Sequence, residues 1–155
     1  MYGGVVLRLE PDVILGKYNP AELYKARATA EETLTQIKND IKTSLDYFNS
    51  TSYTFDSKAK DYYWSKAATE MLAGEVYLWS GKVSTDNHAA TPADVATAAT
   101  YFDNVIKNYG YKLQPDYFSV WTESHNSESI YSICYSDEDD AVYYTYPPPQ
   151  LFPLA

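Results

Sequence analysis

One cysteine in 155 residues, Cys134, leaves no partner for an internal disulfide and no multi-cysteine zinc or iron–sulfur site. Long apolar runs are missing too. None approaches the roughly 20 residues that span a bilayer, and Val5-Val6-Leu7 is cut by Arg8 before it could serve as the core of a signal peptide. Positive charge is scarce: twelve Lys and Arg stand against twenty-one Asp and Glu, a net charge of -9, which repels phosphate backbones and anionic lipid headgroups. Nucleic acid is therefore a poor partner. Six glycines and eight prolines, with 45% hydrophobic and 21% charged residues, argue against a collagenous fibre and against wholesale disorder. A globular chain remains, of a length that suits one domain. Its abundance is aromatic, with seventeen Tyr, three Trp and five Phe.

Residues 1–28 carry Gly3-Gly4, Pro11, Gly16 and Asn19-Pro20, too much punctuation for a long helix. They read as an irregular lead-in with short extended pieces at Val5-Val6-Leu7 and Val13-Ile14-Leu15, ending in one or two helical turns over residues 21–28. Such a segment has too few apolar side chains to fold alone and is expected to lie against the helices C-terminal to it or against a part of a longer protein missing from this chain. The start reads as a cut point in a longer protein.

From Thr29 the pattern changes. Thr29 and Glu32 have capping-box spacing, and Leu34, Ile37, Ile41, Leu45 and Phe48 recur every three or four residues, with Lys38, Asp40, Lys42 and Asp46 on the other side. A second helix is predicted over residues 57–80, burying Trp64, Ala68, Met71, Leu72, Leu78 and Trp79, with Gly81 as a left-handed cap. A third begins at Thr91-Pro92, buries Val95, Ala98, Phe102, Val105 and Ile106, and stops near Gly110, after a polar loop over residues 82–90. Gly74 with Tyr77, then Ala98 with Phe102, follow the small-and-aromatic order of a tetratricopeptide helix hairpin, with Glu70 where Trp is usual and a lengthened turn. Beyond Gly110 the chain is irregular, with one short strand expected over residues 129–135, then the acidic run Asp137-Glu138-Asp139-Asp140 and the cluster Pro147-Pro148-Pro149. The reading is a mainly α chain in three parts: lead-in 1–28, helical scaffold 29–110, loop and strand region 111–155.

Four stretches in order, YGGVVL at 2–7, AATEMLAGEVYLWSG at 67–81, ATYFDNVIKNYGYKL at 99–113 and ESIYSICYS at 128–136, resemble the SusD/RagB family of outer-membrane nutrient-binding lipoproteins. Members of that family are several times longer. The resemblance implies a tetratricopeptide-like helical scaffold, loops carrying a shallow glycan site, no catalysis and no cofactor. It also implies a lipid anchor on the cell surface and partnership with a TonB-dependent, SusC-like transporter. Cys134, inside a predicted strand, does not suit the lipidated position.

Sugars present C–H faces and hydroxyls, so a non-catalytic site for them needs exposed rings and polar groups. Tyr143, Tyr144 and Tyr146 are the first candidates, with Trp121 and Tyr117 second. The general tendency of aromatics to bury favours Trp121, Tyr117 and Phe118 sealing the helix hairpin instead, and core packing accounts best for Trp64. The acidic run reads as a solvated loop rather than a calcium site, since it lacks the spacing and turn glycine of an EF-hand. His88 and His125 lie in polar loops without ligand spacing and are assigned to no metal. No Gly-x-Ser-x-Gly elbow, Walker loop or His-Glu-x-x-His helix appears, which disfavours an enzyme. Two classes stay open: an oligosaccharide-binding, transporter-associated protein, and a tetratricopeptide-like scaffold that grips a protein or peptide.

Overall fold

A computed structural model of the protein describes residues 4–9, 24–51, 61–123 and 126–133. Among them are four helices: α1 (Ala30–Ser50), α2 (Lys66–Lys82), α3 (Pro92–Asn108) and the single turn α4 (Ser119–Thr122). The architecture is mainly helical, as the periodicity predicts.

Helix α1 starts with the reciprocal bonds of a capping box. The Thr29 hydroxyl accepts from the Glu32 N–H at 3.1 Å, and the Glu32 carboxylate accepts from the Thr29 N–H at 2.7 Å. Those bonds, backbone first, hold the Glu32 carboxyl below its ordinary value. Leu34 and Ile41, two turns apart, are the buried centre of its apolar stripe. Over the described residues 24–28 the expected helical turns do not form: the chain there is irregular, because the Ala28 N–H is drawn to the Val5 carbonyl at 2.7 Å and the Arg27 guanidinium to the Gly4 carbonyl at 2.9 Å. That clamp lays the described part of the lead-in against the start of α1, as expected.

Helix α2 begins later than predicted. Residues 61–65 are turn and extended chain, and Ser65 caps the helix by accepting from the Ala68 N–H at 3.1 Å. Its buried face also differs: Ala67, Ala68, Thr69, Glu70, Ala73, Gly74, Ser80 and Gly81 are inside, while Leu72, Leu78 and Trp79 are more than a third exposed. The reason is position. Helix α2 packs on one side against α1 and, more extensively, on another against α3, and small residues let both backbones come close. Gly81 is no left-handed cap; it lies within the helix, where an added Cβ would sit 2.6 Å from Val95 Cγ2.

Helix α3 has Pro92 in its first turn after Thr91, as predicted, and ends before Gly110, whose φ of 75° is left-handed. Ala98 and Val105 are buried, but Ile106 faces outward at 68% exposure. At Gly74 an added Cβ would lie 2.6 Å from Phe102 Cδ1, so the ring fills the space that glycine leaves. The long connection folds back on itself: Thr85 and His88 exchange backbone hydrogen bonds, and the Thr91 N–H reaches the Ser80 carbonyl at 3.0 Å. The expected strand at 129–135 does not form over its described residues 129–133. The Asn126 side-chain oxygen accepts from the N–H groups of Glu128 and Ser129, turning the chain before it can extend, and the Ser132 N–H docks on the Asp61 carbonyl at 2.7 Å.

Candidate ligand-binding surfaces

Three features stand out as candidates for binding or chemistry. The first is a polar cluster at the junction of α1, α2 and α3. Lys38 donates to the Ser80 hydroxyl at 2.9 Å and to the Asp94 carboxylate at 2.6 Å, and Ser80 donates to the same carboxylate oxygen at 2.7 Å. The Lys38 ammonium also sits 4.9 Å from the Tyr77 ring centre. Burial acts to raise the Asp94 carboxyl, but the bonds from Lys38 and Ser80 outweigh it and hold it below its ordinary value. Lys38 is thus not on the solvent side of α1 where periodicity places it, because a helix neighbour supplies its counter-charge.

On the far side of Ser80 lies His88, which is buried rather than a loop residue in water. Its Nδ1 meets Glu31 Oε2 at 2.5 Å, its Nε2 faces the Ser80 carbonyl at 3.1 Å, and its ring stacks on Trp79 with centres 5.6 Å apart. Serine, histidine, aspartate and lysine together suggest a nucleophile and its base. The geometry denies it: Ser80 is fully buried, its proton goes to Asp94, and the imidazole addresses the Ser80 carbonyl and not its hydroxyl. The cluster joins helices.

The second feature is a ridge of rings at α4, with Trp121 on the helix and Tyr117 and Phe118 just before it. Tyr117, Phe118 and Trp121 are 70%, 71% and 73% exposed, with Tyr117 edge-on to both neighbours at 6.0 and 6.2 Å. This corrects the expectation that they seal the helix hairpin; Phe102 already fills the hairpin at Gly74, so no vacancy calls for them. The ridge is held from behind. The Asn126 amide donates to the carbonyls of Val120 and Glu123, and the Gln114 side chain and backbone bond Ser127 and Glu128. Trp64 differs from these three. It keeps 43% exposure, yet its indole N–H donates to the buried Thr69 hydroxyl at 2.8 Å and its ring meets Tyr131 edge-on.

The third is a cleft of about 600 Å³ between the lead-in, α1 and α2. Val5, Leu34, Ile37, Val76 and Trp79 line its apolar part, and Asp86 and Asn87 its rim.

Of the candidates read from sequence, the structure brings Tyr117 and Trp121 together. Tyr143, Tyr144 and Tyr146, the acidic run from Asp137 to Asp140, His125 and Cys134 lie outside the described residues. Among the described residues no group of three or more His, Cys, Asp or Glu is placed to hold a metal. Sequence reasoning missed the Glu31–His88 and Lys38–Ser80–Asp94 contacts, which join residues 14 to 57 positions apart and leave no local signal.

No family model matches the sequence, and no curated protein is similar to it. Among solved structures, the crystal structure of a SusD superfamily protein from Bacteroides fragilis matches with a TM-score of 0.73 and 40% sequence identity. The match covers 89% of this chain and 26% of that one, so the chain spans about a quarter of the relative's length.

Proposed function

We propose that this SusD-like chain works as part of a non-catalytic oligosaccharide-binding lipoprotein on the outer-membrane surface, passing its ligand to a TonB-dependent, SusC-like transporter. The observation that carries the reading is the ridge of Tyr117, Phe118 and Trp121, exposed rings on and just before α4, with Tyr117 edge-on to the other two. Exposed aromatic faces are costly to display in water and are what a sugar's C–H surface stacks on. Tyr144 and Tyr146, whose i, i+2 spacing would put both rings on one face of an extended chain and Tyr143 on the other, are assigned to the same site. Affinity is modest, because few rings stack.

Titration calorimetry of the chain against plant, host and microbial glycans tests this, with circular dichroism as the folding control. Binding of at least one glycan, weakened by a Tyr144→Ala, Tyr146→Ala double variant of unchanged fold, is the expected result. Undiminished binding would remove those tyrosines from the site. The transporter partnership is tested by co-purification from outer membranes, and recovery in cytosol alone would reject it. The apolar cleft beside Trp79 supports a second reading, a scaffold that grips a peptide, and is favoured if peptides bind where every glycan fails.

A further inference from the structure

We infer that His88, gripped between the Glu31 carboxylate and the Ser80 carbonyl, is a protonation-dependent clasp that fixes the first turn of α1 to the α2–α3 connection and thereby sets the shape of the cleft beside Trp79. Hydrogen-bond accounting carries this, independently of the glycan reading. A neutral imidazole has one donor and one acceptor, whereas both ring nitrogens of His88 face oxygen acceptors, at 2.5 and 3.1 Å. Only the imidazolium satisfies both. Loss of its proton sets a ring lone pair against one of these oxygens inside a side-chain environment that is 2% exposed.

The surrounding charges come from every element packed there. Glu31 on α1 makes the direct pair; Lys38, also on α1, opposes a positive ring; Asp94 on α3 feels the His88 charge; Asp86 lies on the same connection and shares a shallow polar hollow with Glu31 and His88. The Glu31 bond pushes the imidazole above its ordinary value, burial pulls it down, and the Ser80 carbonyl adds to the rise. A raised value in the folded state means a stabilising contribution that is complete below about pH 6.5 and lost as pH climbs through the folded value.

The same residues frame the cleft. Thr29, Ala30 and Thr33 of its wall flank Glu31, while Trp79 and residues 85–87 flank the ring or stack on it. Releasing the clasp loosens the first turn of α1 from the α2–α3 connection, while Lys38 still ties α1 to Ser80.

The test is a proton-NMR pH titration of the full chain, with the His88 ring signals assigned through a His125→Asn variant and the backbone amides of residues 30–33 and 85–87 followed alongside. The expected midpoint for His88 lies above 6.5, Glu31→Gln moves it downward, and the cleft amides shift with that midpoint in the parent. Glu31 is 62% exposed, so the isosteric variant is expected to fold, and the parent titration is decisive without it. A His88 midpoint at or below 6.5, a midpoint indifferent to Glu31→Gln, or cleft amides that ignore it would each overturn the clasp.

Discussion

In the α2–α3 hairpin a phenyl ring covers a glycine, Phe102 on Gly74, whereas a few residues past Gly110 the rings of Tyr117, Phe118 and Trp121 stand in the open. Both regions draw on aromatic residues carried by helical turns. What separates them is the opposite surface. Gly74 and Ala73 on α2 make room for Phe102, and Ala98 on α3 lets the backbones approach; α4 is one turn long, with no small-residue face among the described residues packed against it. An aromatic ring is tucked partly inside where small residues leave it room and is displayed where they do not. In this protein the first arrangement builds the scaffold and the second offers a surface.

The sharpest way to break that contrast is to fill the glycine. Gly74→Leu forces Phe102 out of a space that already admits no Cβ, and overpacking of this kind costs about 1–3 kcal/mol. The thermal midpoint should fall clearly, and the ridge should be untouched. A midpoint equal to the parent's would mean that α2 and α3 do not meet at Gly74.

Next in size is the polar side of the same junction. Asp94→Ala leaves Lys38 and Ser80 facing each other without their shared acceptor. Its expected cost is about 1–2 kcal/mol, the lower part of the range for stranding buried polar groups, since the Lys38 side chain remains 25% exposed. Chemical denaturation of Asp94→Ala and Asp94→Asn measures it, with Asn recovering part of the loss through its retained oxygen. The sign with pH comes from the lowered carboxyl: its contribution is present above about pH 3.8 and disappears as pH falls through the folded value. The parent should therefore lose stability in acid more steeply than either variant.

Much of the scaffold was legible in the residues, and the reasons are local. Thr29 with Glu32, Pro92 after Thr91, and Gly110 after Asn108 are signals within one or two helical turns, and each marks a helix end where the structure has one. The buried face of α2 was not legible, because hydropathy ranks Leu72, Leu78 and Trp79 above Ala67, Ala73 and Gly74 while contact with two neighbouring helices selects by size. Lys38 and His88 were misplaced for a related reason: a charged or titratable side chain reads as solvated until a distant partner is known, and Asp94 and Glu31 lie 56 and 57 positions away. For the ridge, the residues were found and their setting was not. Tyr117 and Trp121 stood among the binding candidates, yet the common burial of aromatics argued for the hairpin, which Phe102 already occupies.

The smallest expected effect on stability is the most informative about function. Tyr117→Ala with Trp121→Ala removes two rings that bury little and, among the described residues, brace only each other and the exposed Phe118, so unfolding should change by no more than about 0.5 kcal/mol, the usual range for exposed positions. Against a glycan that the parent binds, the same variant should lose about tenfold or more, since each stacked ring contributes about 0.5–1.5 kcal/mol beyond its buried area and about 1.4 kcal/mol is a factor of ten. The two numbers pull apart only if the rings are there for a ligand. A variant that unfolds several kcal/mol more easily would show that the ridge is part of the packed interior after all, and the contrast with the hairpin would fail. A variant that keeps both its stability and its full affinity would leave the contrast standing and move the glycan site elsewhere, with Tyr144 and Tyr146 the next rings to remove.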